Sequence, residues 1–224
     1  MITRAAASSE DVQFHSKLYS CLMAENRDML IRIDSRFIES FLLEQDPLLT
    51  YSYYTFHAMY SKAAQLMDVR AHIQGEELSL DDRIQDLSRA VSSAQRAVAA
   101  CREARGPTAA AVGFLSELEE KLDIAELQKL VLTALSSKLS LIRNIADTLL
   151  SQEEMASMKS LEDIVSRLGD RLWSVSELYN HVTEPYELWD LSLIILHSCK
   201  HDDPQLIRSL WISVIYRIVP MRSN

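Results

Sequence analysis

Glycine is scarce in this sequence. Four in 224 residues amount to about 2%, against about 7% in ordinary globular chains. Five prolines add few further breaks. Sheets joined by tight turns need Gly, Asn-Gly and Pro at those turns, so the composition speaks against all-β and doubly wound folds. The glycines also stand far apart, at positions 75, 106, 113 and 169. A phosphate-cradling loop needs several of them close together, so that backbone N–H groups can approach the ligand. A P-loop and a dinucleotide fingerprint are therefore excluded. There is no Gly-x-Ser-x-Gly elbow, no Cys-x-x-Cys and no His-Glu-x-x-His, and no motif calls for a cofactor. The three cysteines, Cys21, Cys101 and Cys199, are an odd number at wide spacing. They form no disulfide framework and fit a reducing compartment. No basic run exceeds a pair, and the net charge is −9, so direct contact with nucleic acid is not expected. The acidic balance serves solubility, or meets a basic patch on a partner. The densest apolar run, Leu191 to Leu196, is far too short to cross a bilayer. The start, Met1 to Ala7, lacks the apolar core of a signal peptide.

Ala, Leu, Glu and Arg fill the chain instead, and all are strong helix formers. With 48% hydrophobic residues there is ample apolar surface for a core. Helical spacing of Phe14, Leu18, Cys21 and Leu22 predicts a first helix over 10–25. Short helices follow over 27–33 and 36–45, then a break at Asp46-Pro47. An aromatic helix over 48–57 precedes a partner over 60–72. The central Ala63-Ala64 of that partner would let two helices approach closely. Ser79 and Asp82 form a capping-box pattern opening a helix whose stripe runs Leu80, Ile84, Leu87, Val91, Ala94, Val98 and Cys101. Gly106 to Gly113 reads as a flexible loop. Helices over 114–137 and 139–150 come next. The first of these carries two apolar tracks, as a helix with neighbours on two sides would. Leu161 to Val182 keep step past Gly169 and predict a single helix. Pro185 is expected in the first turn of the next helix, which ends near Cys199. Asp203-Pro204 caps and starts the last one, closed by Pro220. About ten helices and no confident strand define an all-α chain. It reads as one irregular α-solenoid segment of stacked antiparallel helices over residues 1–224, without a strict repeat. Its first and last helices are expected to leave apolar flanks uncovered.

Residues that could carry chemistry are few, and each has a plainer reading. His197 and His201 share a helix face at i, i+4 beside Asp202 and Asp203. That spacing could hold a metal, but a helix end also favours His and Lys through its dipole. Glu117, Glu119 and Glu120, with Asp81-Asp82, supply carboxylates on solvated faces and helix starts. Tyr51, Tyr53, Tyr54, Phe56 and Tyr60 could line a peptide groove, although the same spacing suits helix–helix packing. Trp173, Trp189 and Trp211 divide the same way. No catalytic or metal-binding residue is assigned on these grounds, the chain is not expected to be an enzyme, and no partner-contact residue can be chosen among the aromatics.

Several stretches resemble a known family. Phe114-Leu115-Ser116-Glu117-Leu118-Glu119-Glu120-Lys121 is similar to a Phe-Leu-x-Glu-Leu-Glu-Glu-Lys stretch of the large inner-ring scaffold nucleoporin of the nuclear pore complex. That family comprises the vertebrate one-hundred-fifty-five-kilodalton type and its fungal relatives. Tyr53-Tyr54 with Tyr60 and Ala63-Ala64 resembles its Tyr-Tyr…Phe-x-x-Ala-Ala helical pair, with Tyr60 in place of Phe. Leu80 to Ala90 matches Ser-Leu-x-x-Arg-Ile/Leu-x-x-Leu-x-Arg-Ala. Leu178-Tyr179, Pro185, Ile194-Ile195, His197, Asp203-Pro204 and Leu210-Trp211 fall in the same order. The likeness spans about residues 14–219 and is weakest over 99–113 and 137–158. It implies part of a C-terminal α-solenoid, without the family's N-terminal β-propeller. It also implies a scaffold role in the inner ring at the nuclear envelope, supporting transport of protein and messenger RNA. The implied partners are other nucleoporins, including linker nucleoporins with short motifs. No membrane contact is implied for this segment. The missing ends suggest a fragment, a short isoform or an incomplete gene model. The alternatives are a vesicle-coat or tethering α-solenoid and a small helical metal-dependent enzyme centred on His197 and His201.

Overall fold

The computed structural model describes residues 11–75, 77–104, 109–146, 152–199 and 202–218, with the backbone alone at 102–104, 145–146, 152–154 and 218. Among these residues there are eleven α-helices, one π-helical turn and no strand. In order they are α1 (Val12–Glu25), α2 (Arg27–Ile31), α3 (Ile38–Gln45), α4 (Pro47–Phe56), α5 (Tyr60–Ala71) and α6 (Leu80–Ala104). Then come α7 (Ala109–Ala146), α8 (Gln152–Asp170), α9 (Val175–Leu178), the π turn (Tyr179–Thr183), α10 (Trp189–Ser198) and α11 (Pro204–Ile218). Contacts cluster into two compact units, one of Met1–Arg70 with Asp86–Leu118, the other of Ala71–Gln85 with Glu119–Asn224. None of the described helices is long and apolar enough to cross a membrane.

The first unit centres on Tyr19, Leu30, Ile38, Leu42, Tyr53 and Ala63, all buried. Ala63 and Ala64 have no exposed surface. Asp46 caps α4 by accepting from the N–H groups of Leu48 (2.8 Å) and Leu49 (3.2 Å), and Pro47 takes the first helical position, where it gives up no bond. The helix ends on Ala58, whose φ is +55°. Met59 N–H donates to Tyr54 O (2.8 Å) and Ala58 N–H to Thr55 O (3.3 Å). This is a Schellman closure with alanine where glycine usually sits. A deeper polar contact holds α5 to α6. The Asp86 carboxylate is fully buried and receives Arg70 (2.6 Å) and Arg89 (3.1 Å). Burial pushes its carboxyl up, and the two guanidinium groups pull it back.

The second unit centres on Val131, Leu135, Leu161, Leu168, Trp173, Leu178 and Ile195. Here several expectations change. The two helices expected over 114–137 and 139–150 are one helix, α7, as far as Ala146; 147–150 lie outside the described residues. Nothing between Ser136 and Leu139 breaks a helix. The hydroxyls of Thr133, Ser137 and Ser140 donate back to the carbonyls of Lys129, Thr133 and Ser137 (2.8–2.9 Å), so their polarity is absorbed within the helix. The helix also starts earlier than expected. Ala109–Gly113, read as loop, form its first turn, since alanine is the best helix former; residues 105–108 lie outside the described ones.

The single helix expected over 161–182 is interrupted. It stops at Asp170, resumes as α9 and passes into the π turn. The restart is a full capping box: Ser174 Oγ accepts from Glu177 N–H (3.3 Å), and Glu177 Oε2 accepts from Ser174 N–H (2.9 Å). The apolar rhythm runs on across the gap because Trp173, 2% exposed, fills it. The gap itself is held by Gln128. Its amide nitrogen donates to Leu168 O (2.6 Å) and Arg171 O (2.7 Å), and its oxygen accepts from Trp173 N–H (2.8 Å). Pro185 does not open α10. It lies in a turn closed by Glu187 at φ +55°, with Leu188 N–H on Thr183 O (2.8 Å) and Glu187 N–H on Glu184 O (3.2 Å). The helix starts after that turn, at Trp189.

A second buried polar clamp is Arg83, with no exposed surface. Its Nη1 donates to Ala71 O (2.9 Å) and to Ile73 O; its Nη2 donates to Gly75 O (2.8 Å) and Asp170 O (2.7 Å). Gly75, at φ +122°, adopts a conformation that a side chain would strain. Capping boxes appear where they were expected, with Asp82 N–H on Ser79 Oγ (3.1 Å) and Ser79 N–H on Asp82 Oδ2 (3.3 Å). Asp203 Oδ1 accepts from Gln205 and Leu206 N–H (2.9 and 3.2 Å) at the start of α11.

Two tests follow. Gln128→Ala strips three backbone groups of their partner, and urea denaturation should show a loss of about 2–4 kcal/mol. A loss near zero would mean the gap is held by packing alone. Glu177 tests the restart by pH. The Arg171 contact first, then the Ser174 bonds, hold its carboxyl down to about 2 from the ordinary 4.5. A carboxylate depressed by folding stabilises the fold above its unfolded value and loses that contribution as pH falls. Between about pH 4.5 and 2, Glu177→Gln should therefore flatten the acid loss of stability. Identical acid profiles for the two proteins would refute this.

Candidate partner-binding groove

The C-terminal helix pair encloses a groove of about 690 Å³. Its position follows from helical spacing. On α10, Asp190, Leu193, Ile194 and His197 recur at i, i+3, i+4 and i+7 and face the groove, while Ser192 and Ile195 are buried. On α11, Ile207, Trp211 and Val214 face it, while Leu210 is buried. Both helices are thus apolar on more than one side, which a helix at a bare surface has no reason to be. The groove walls are far from covered: Trp211 is 53% and Ile194 43% exposed. Asp190, His197 and Asp202 supply its polar edge.

The other sequence candidates fall elsewhere. Glu117, Glu119 and Glu120 are exposed along α7. Asp81 pairs with Lys129 (2.7 Å), and Asp82 completes the capping box of Ser79 at the start of α6. His201 lies outside the described residues, so its pairing with His197 cannot be placed. Among the described residues no three His, Cys, Asp or Glu side chains are gathered as a metal site. Cys21 and Cys199 are exposed, Cys101 half-buried, and all are free thiols. The aromatic set of α4 splits. Tyr53 and Tyr54 are core; Tyr53 stacks 4.5 Å from His57, whose Nε2–H donates to Ile31 O (3.0 Å). Tyr54 O–H donates to Glu39 (2.7 Å), and Lys62 first, then this hydroxyl, hold the Glu39 carboxyl below its usual range. Tyr51 and Tyr60 are half-buried, and Phe56 is exposed. The tryptophans split too: Trp173 is core, Trp189 half-buried, and Trp211 lines the groove.

The signal for the groove was present in the run Leu191 to Leu196. Six consecutive residues with one serine leave a helix no polar side, so it must be covered on two faces. The uncovered flanks expected at the ends are also present, with Val12 and Phe14 exposed on α1 and Ile212, Ile215 and Tyr216 on α11.

Residues 1–224 match the family described as non-repetitive/WGA-negative nucleoporin C-terminal. The chain belongs to that family. It is 34% identical over 172 residues to the nuclear pore complex protein Nup154 of Drosophila melanogaster, covering 76% of this chain and 11% of that one. It is similar to the solved C-terminal domain of Chaetomium thermophilum Nup170, with a TM-score of 0.70 and 25% identity over 93% of this chain and 35% of that one. The same domain in complex with Nup145N gives a TM-score of 0.67 and 25% identity, over 94% of this chain and 38% of that one. The all-α solenoid expected from the sequence is the fold of these domains. The chain spans only about a tenth of the length of the curated relatives it matches.

Exposure separates the tryptophans energetically. Trp173→Ala should cost about 3–5 kcal/mol, whereas Trp211→Ala should cost less than about 1 kcal/mol. Chemical denaturation of the two variants checks this. Equal losses would mean that Trp211 is packed in solution and the groove closed.

Proposed function

We propose that this chain is a non-catalytic structural segment of the nuclear pore complex, part of the inner-ring scaffold at the nuclear envelope. Its work is to present helix surfaces to other nucleoporins and so support nucleocytoplasmic transport. The observation that carries this reading is the match of the whole chain to the nucleoporin C-terminal family. The helical likeness to Nup170 domains, one of them solved with Nup145N, supports it. By that likeness, a linker nucleoporin bringing a short segment is the class of partner that fits. Rigid helices offering grooves to short segments need no reactive group. The family match favours the pore over a vesicle coat.

Proximity biotinylation from this chain in living cells tests the reading. Labelling dominated by nucleoporins at the nuclear rim is expected. Labelling dominated by Golgi or endosomal coat proteins would overturn it.

A further inference from the structure

The edge of the α10–α11 groove is acidic while its floor is apolar. Asp190 stands at one end of the α10 face and Asp202 in the link before α11. Among the described residues neither is held in an ion pair. Between them lie Ile194, Ile207 and Trp211. An indole left 53% exposed beside an isoleucine left 43% exposed keeps apolar area in water inside a concave wall, where one inserted side chain can cover it.

We propose that this groove receives a short, positively charged amphipathic segment of a partner protein. One large apolar side chain of that segment packs against Trp211, Ile194 and Ile207. A Lys or Arg next along the same face reaches Asp190, and another reaches Asp202. The proposal deepens the scaffold reading and rests on it. Three features carry it. The inner side of α10 is already spent on the core through Ser192 and Ile195, and its groove face takes no part in that core. These two carboxylates, in no ion pair among the described residues, ask for cations, and long-range attraction from a chain of net charge −9 speeds the encounter with a basic segment. The same charge disfavours the other occupants. A second copy meeting the groove by two-fold symmetry would set Asp190 and Asp202 near their own images, and an anionic lipid surface would be repelled.

Selection of random peptides displayed on phage against the chain tests this, with counter-selection on Trp211→Ala and on the doubly charge-reversed Asp190→Lys/Asp202→Lys. Groove-dependent peptides should be enriched in Lys and Arg spaced around one Leu, Phe or Trp. For a synthetic peptide from that pool, fluorescence anisotropy should show affinity falling about tenfold or more in each of the two variants. Affinity should also fall as salt rises. All substituted side chains lie at the surface, and circular dichroism of the variants verifies that they fold. Neutral or acidic selected peptides, peptides that bind both variants as well as the unaltered chain, or no groove-dependent peptide at all would each overturn the proposal. So would concentration-dependent self-association abolished by Trp211→Ala, which would give the groove to a second copy. Nuclear-rim labelling that persists alongside such a failure would leave the scaffold reading standing, whereas labelling of coat proteins would remove both.

Discussion

A helix that ends inside a stack leaves its last carbonyls pointing at neighbours that cannot bond them, and water is excluded. This chain meets that constraint with two buried polar side chains. Gln128 reaches from the middle of α7 and closes the gap between α8 and α9 through three backbone groups. Arg83 reaches from α6 and gathers four carbonyls from the loop before it and from the end of α8. Each lies in an apolar stripe where a leucine would otherwise pack. A leucine there would bury as much apolar surface, but the carbonyls would be left bare at about 1–3 kcal/mol each. The packing of Leu161, Leu168 and Trp173 against α7 is possible because these ends are satisfied.

Reading from residues to structure succeeds where a single helix speaks for itself. The stripe from Leu80 to Val98, the capping box at Ser79, the N-cap at Asp203, and Pro47 at a helix start are all local, and all stand in the structure. It fails where a neighbour decides. Leu161 to Val182 keep helical rhythm across a chain break because Trp173 occupies the break as well as the stripe. The box Ser174-x-x-Glu177 marked the restart in plain residues, but the rhythm around it masked the signal. Lys138 and the serines beside it look like a boundary and are none, because their hydroxyls turn back onto the same helix. The roles of Arg83 and Gln128 have no local signature, since their partners lie up to 87 residues away.

The groove teaches the same lesson from the surface. By spacing alone the aromatic residues of α4 are partner candidates no more and no less than Trp211, yet Tyr53 and Tyr54 are committed to the core and to His57 and Glu39. Trp211, which looked equally like core, stands open. What distinguished it was the helix opposite: a run without a polar side, from Leu191 to Leu196, cannot be satisfied by one neighbour. Scarcity of glycine has a structural counterpart as well. Two helix ends close on left-handed Ala58 and Glu187, at a strain of about 1–2 kcal/mol each.

The Arg83 clamp has one further implication. Its contacts to Ala71, Ile73, Gly75 and Asp170 all end on main-chain oxygens, so those contacts ask nothing of these side chains beyond the backbone path. Mutation can therefore wander at positions 73 and 170 while the junction survives, provided the guanidinium is kept; Gly75 is fixed by its backbone conformation and Ala71 by its burial. Such junctions let a helical architecture persist while most of its letters change, as between this chain and relatives that share only a quarter to a third of its residues.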